Sequence, residues 1–127
     1  MRVEANEARG LVEVTVEDDY TEEGIAQVYE AYDRLSRSHD AFGEVDVVRG
    51  EGGGFRFRTV LQGAQGSRGA VKLKRFAIVT DTSRRVQSAA RFLSLFGIEC
   101  RTYMPEEAEQ ARVWAAEASS RKSPDAA

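Results

Sequence analysis

The chain is poor in the residues that build disulfides, zinc sites and membrane spans. Its 127 residues include one cysteine, one histidine and one tryptophan. A lone Cys100 excludes an internal disulfide and fits a reducing compartment. A lone His39, with no second histidine and no further cysteine, argues against a zinc site. No apolar run approaches the roughly 20 residues that a membrane-spanning helix needs. The first residues lack the basic and then apolar stretches of a secretory leader, so export is not expected and the cytoplasm is the default address. No serine–histidine–acid arrangement can be assembled with assurance, so the enzyme reading is poor and no cofactor is implied.

The composition, 42% apolar and 31% charged, is that of a soluble globular domain with a single hydrophobic core. The net charge of −3 conceals a division along the chain. Residues 1–52 carry 5 basic and 14 acidic side chains, a balance of −9; residues 53–101 carry 10 and 2, a balance of +8. The plainer reading is that acidic and basic elements pack side by side and neutralise each other. The competing reading is a basic face for a phosphate-bearing ligand, a membrane surface or an acidic protein. Those basic residues are scattered along helices and strands, with no recognition-helix pattern, which argues against nucleic acid.

Hydrophobic periodicity supplies the fold class. Met1 to Ala5 reads as a short edge strand, Glu7-Ala8-Arg9-Gly10 as a hairpin turn with Gly10 free to take positive φ, and Leu11–Val16 as an alternating strand. Thr21 caps a helix whose first turn holds Glu22 and Glu23. Ile25, Val28, Tyr29, Tyr32 and Leu35 form its apolar stripe, and it is expected to end near His39, a surface residue suited to a helix C-terminus. Gly43–Arg49 reads as the third strand, followed by the flexible loop Gly50–Gly54. Over residues 57–69 a helix competes with a hairpin of Phe55–Leu61 and Ala70–Lys74. Arg75–Thr80 is a continuous apolar run, the mark of a strand covered on both faces. Val86, Ala89, Ala90, Leu93 and Phe96 have helical spacing, and Gly97 suits a C-terminal cap before the strand Ile98–Tyr103. Pro105 opens a last helix with the inner stripe Ala108, Ala111, Trp114, Ala115 and Ala118. The expectation is one α/β domain over residues 1–118, of order ββαβαβαβα with a mixed sheet of about five strands, and a frayed tail over 119–127.

The order and several residues resemble the SpoIIAA-like family of small bacterial STAS-related proteins. The resemblance rests on Arg75-Phe76-Ala77-Ile78-Val79-Thr80-Asp81, on the helix end Phe92-Leu93-Ser94-Leu95-Phe96, and on Glu99-Cys100-Arg101-Thr102-Tyr103. Glu106-Glu107-Ala108 with Ala111 and Trp114 matches the family's acidic turn and "A-x-x-W" element. It covers about residues 10–118, its specific part being 75–114, and Gly50–Gly69 departs from the family's Trp- or Leu-rich helix start. The resemblance implies kinship with anti-sigma-factor antagonists and, more distantly, with CRAL-TRIO lipid-transfer domains. The antagonists switch by phosphorylation of a serine in an Asp-Ser-Ser-Gly-like turn. The matching place here, Arg49-Gly50-Glu51-Gly52-Gly53-Gly54, has no hydroxyl, so that switch is excluded.

Two functional readings follow. One is a non-catalytic STAS-like interaction module, with an unknown protein partner or a second copy. The other is a small-ligand or phospholipid module, in which Gly52, Gly53 and Gly54 form a cleft and Arg56, Arg58, Arg84 and Arg85 meet an anionic head group or phosphate. The glycine-rich loop lacks the ending of a Walker loop and is no dinucleotide fingerprint. Thr82 or Ser83 is a helix cap before it is a phosphorylation site, and Asp18, Asp19, Glu22 and Glu23 are a solvated acidic helix start before they are an ion site. Cys100 reads as a small buried hydrophobe, not a reactive thiol.

Overall fold

The structure, a computed structural model, describes residues 1–17, 20–49, 69–81 and 97–122. Strand β1 (Arg2–Asn6) turns back on β2 (Leu11–Val16) in an antiparallel pair. Gly10 closes that turn at φ +61°, the left-handed conformation that a side chain would strain. Helix α1 (Glu22–Ser36) carries the chain to β3 (His39–Val48), which lies parallel to β2. Thr21 caps α1, its Oγ1 accepting from the Gly24 amide at 3.0 Å. Thr21→Ala is expected to lower stability by about 1 kcal/mol, measured by urea unfolding.

Strands β4 (Leu73–Val79) and β5 (Glu99–Tyr103) extend the parallel array, so the main path of the sheet runs β1-β2-β3-β4-β5, with β1 antiparallel and β2 to β5 parallel. A 3-10 turn at Pro105–Glu107 leads into helix α2 (Ala108–Ala116). This is the expected α/β class with a mixed sheet of about five strands. Residues 57–68 and 86–96, where two helices were expected, lie outside the described residues, as does the hairpin alternative's first strand; its second, Ala70–Lys74, is instead a 3-10 turn at Ala70–Lys72 running into β4 at Leu73. Gly97, expected as a helix cap before the strand, has φ +75°, the left-handed conformation such caps take.

Each helix covers one face of the sheet. Against α1 lie Val12, Val14, Val16, Phe42, Phe76 and Ile78, packed on Ile25, Val28, Tyr32 and Leu35. Against α2 lie Leu11, Val45, Ala77 and Val79, packed on Ala111, Trp114 and Ala115. Phe76 to Val79 are therefore buried without a break, which is why the sequence there is apolar rather than alternating. Where α2 crosses β3 the backbones come close. A Cβ on Gly43 would collide with the Ala115 carbonyl oxygen and lie 2.6 Å from its carbon.

Two expectations are corrected. The first helix stops at Ser36, and His39 is not a surface residue at its end. It opens β3 and is 1% exposed, with its Nδ1 2.8 Å from the Ser38 hydroxyl. The tail also does not begin at 119. Ser120–Arg121 form a sixth short strand, β6, antiparallel to β3 at His39 and Ala41, and the Lys122 amide donates to the Ser38 carbonyl at 3.0 Å. That pairing is tertiary, with the start of β3 offering its backbone to a segment 80 residues later in the chain.

Candidate functional site

The α1 face of β3 carries two acids in the core. Glu44 and Asp46 are two residues apart on one strand, so the pleat puts both side chains on the same side. Each is 2% exposed. Their donors come from the connection before α1 and from α1 itself. The Tyr20 hydroxyl donates to Asp46 Oδ2 at 2.7 Å, and the Tyr32 hydroxyl donates to Glu44 Oε1. The two carboxyl groups are also within hydrogen-bonding reach of each other. When both are carboxylates, no donor among the described residues reaches Asp46 Oδ1.

Burial dominates the electrostatics. It pushes the Glu44 carboxyl well above the ordinary carboxylate range, and the neighbouring Asp46 charge raises it further; the Tyr32 bond opposes both. Asp46 is also raised, by burial, against the bonds it accepts from Glu44 and Tyr20. Burial, then the nearby carboxylates, hold both tyrosines well above their usual value, so they remain neutral donors. An unpaired buried carboxylate costs several kcal/mol, and two side by side cost more. The arrangement therefore favours a proton kept between Glu44 and Asp46, which also supplies the donor that Asp46 Oδ1 lacks.

Beside the pair is a cavity of about 10 Å³, lined by Met1, Tyr20, Ile25, Val28, Glu44, Asp46 and Phe76. That is room for about one water molecule. Among the described residues no group of three or more His, Cys, Asp and Glu side chains could hold a metal ion. Burial, with a smaller contribution from Asp46, pushes the Cys100 thiol on β5 up to about 12. Native Cys100 is accordingly expected to react with a thiol reagent at about pH 8 roughly a thousandfold more slowly than an unperturbed thiol, the rate recovering on unfolding in urea. A disulfide-exchange time course measures both.

The opposite face and the sheet's margins are different in kind. Trp114 lies between α2 and the sheet with the guanidinium carbons of Arg75 and Arg101 each 4.9 Å from its ring centroid. Arg75 also donates to the Trp114 carbonyl at 2.9 Å and pairs with Glu117 at 3.2 Å. At the β5 margin Glu99, Arg101 and Thr102 are exposed, and neither Glu99 nor Arg101 has an ion-pair partner among the described residues. At the other margin, on β1, Arg2 pairs with Glu4.

The residues expected to form a head-group site, Gly52, Gly53, Gly54, Arg56, Arg58, Arg84 and Arg85, all lie outside the described residues. So do Asp18, Asp19, Thr82 and Ser83, while Glu22 and Glu23 stand exposed in the first turn of α1. Sequence reasoning passed over Glu44 and Asp46 because Glu-Val-Asp-Val alternates, and alternation suggests acids facing water. The contrary signal was position: a strand in the middle of a parallel sheet is covered on both faces.

No helix among the described residues is long and apolar enough to cross a membrane. The chain has no match among curated proteins or solved structures. The SpoIIAA-like family model, in contrast, matches residues 11–116, which span β2 to the end of α2 and thus both acids, the β5 margin and the Trp114 stripe. On that match the chain belongs to the SpoIIAA-like family, whose kinship suggests a STAS-type regulatory or interaction module.

Proposed function

We propose that this protein is a non-catalytic, cytoplasmic interaction module that works as a homodimer through the β5 margin. The clustered acids lie buried beneath α1, beside a space for about one water, which is too small for a substrate. What carries the reading is the exposed charge on β5, where neither Glu99 nor Arg101 has an ion-pair partner among the described residues and Arg101 meets only the Trp114 ring. In an antiparallel pairing of β5 with its own copy about Cys100, each Glu99 stands opposite the other chain's Arg101. Opposed pairs of that kind stabilise a ladder, and a two-fold interface repeats the pair twice. The β1 margin offers no such surplus, because its charges already meet each other.

Light scattering on a size-exclusion column tests this. The wild type is expected at twice the 14.1 kDa chain mass. Arg101→Glu, which faces acid with acid, is expected to give monomer, and adding Glu99→Arg to it is expected to restore the dimer. A wild type that stays monomeric at high concentration contradicts the proposal. The phospholipid reading is favoured by the +8 balance of residues 53–101. It predicts instead that the protein sediments with anionic vesicles and that charge reversal at Arg84 and Arg85 abolishes this.

A further inference from the structure

We propose that Glu44 and Asp46 share one proton and that this proton latches α1 onto β3, making the helix the part of the fold that loosens when the proton leaves. The geometry ties the acids to the helix at two points. Tyr32 bonds Glu44 from within α1, and Tyr20 bonds Asp46 from the segment that leads into α1. With one proton present, the acid pair is joined, Asp46 Oδ1 has a donor, and the core holds a single negative charge. Without it, two like charges stand side by side in the core, and the strain is relieved by admitting water between helix and sheet.

Among the described residues few other groups face the pair from the elements packed against it. From α1 it is Tyr32, with Tyr29 behind it against the Tyr32 ring, from the preceding segment Tyr20, and from β5 Cys100. Met1, whose side chain lines the cavity, brings the α-amino group, and the α1-facing positions of β2 are valines. On β4 the same face presents Phe76 and Ile78, with Lys74 exposed at its outer end, its Nζ donating to the Val71 carbonyl at 3.2 Å. Among the described residues no cation pairs with either carboxylate. A module with no serine at the place of the family's phosphorylation switch would thus carry a proton switch inside its core.

Amide hydrogen exchange read by mass spectrometry, from about pH 6 to about pH 9 and corrected for the intrinsic rate, tests the latch. Protection of α1 peptides is expected to fall by roughly tenfold or more across that range, one pKa unit being a tenfold change. Protection of α2, on the other face, is expected to hold. Glu44→Gln keeps an acceptor for Tyr32 and donates permanently to Asp46, so its α1 profile should be flat. Asp46→Asn, which accepts from Tyr20 and donates to Glu44, gives the same test if Glu44→Gln does not fold. Parallel loss in α1 and α2, constant α1 protection in the wild type, or a wild-type profile in the folded variants would each overturn the proposal.

Discussion

Glu44→Gln is expected to stabilise the protein by about 1–3 kcal/mol on the alkaline side of the raised carboxyl values and to flatten its dependence of stability on pH. In the wild type both carboxyls are raised in the fold, so between the ordinary carboxylate range and the raised values the folded state holds protons that the unfolded chain has released. Stability is then complete below the unfolded carboxylate range and is lost as pH rises through the folded values, the reverse of a salt-bridged carboxylate. Gln replaces the titrating member with a neutral amide of nearly the same shape. Its oxygen accepts from Tyr32 as Glu44 does, and its nitrogen gives Asp46 a permanent donor. Urea unfolding at several pH values measures both effects. A variant less stable than wild type at high pH, or one with an unchanged slope, contradicts this account of the pair.

Gly43→Ala costs roughly 3 kcal/mol or more and detaches α2 from the sheet. The new methyl would strike the Ala115 carbonyl oxygen, with the Ala115 carbon at 2.6 Å and its Cα at 3.2 Å. These are backbone atoms inside a helix, so the clash cannot be relieved by a change of rotamer and the helix must lift as a unit. The loss corresponds to a fall in Tm of about 10 °C for a chain of this size. Trp114, the only tryptophan, sits on the docked face of α2, so its fluorescence should shift towards that of exposed indole in the folded variant. A variant with wild-type Tm and emission would show that helix and strand are not in close contact at Gly43.

Where local signals and tertiary environment agree, the fold was legible in the sequence. The unbroken apolar run at Phe76–Val79 indicated a strand buried on both faces, Thr21 with Glu22 and Glu23 indicated a helix start, and Gly10 indicated the hairpin. Ala111, Trp114 and Ala115 were recognisable as one buried helix face. What was hidden depends on partners distant in the chain. Ser120 and Arg121 are polar and have no strand pattern of their own; they pair because β3 begins at His39, four residues before its predicted start at Gly43. His39 is buried for the same reason. Glu44 and Asp46 look like the wet side of an alternating strand until β2, β4 and α1 enclose them, and their donors, Tyr20 and Tyr32, lie 26 and 12 residues away in sequence.

The shared proton can be observed directly by titrating the side-chain carboxyl carbons of Glu44 and Asp46 in a ¹³C NMR experiment, with Glu44→Gln and Asp46→Asn assigning the two signals. The account predicts one proton between the two groups near neutral pH, their shifts moving together, and its release only above the ordinary carboxylate range. Two carboxylates that titrate separately at about pH 4 and are both ionised at neutrality would contradict it.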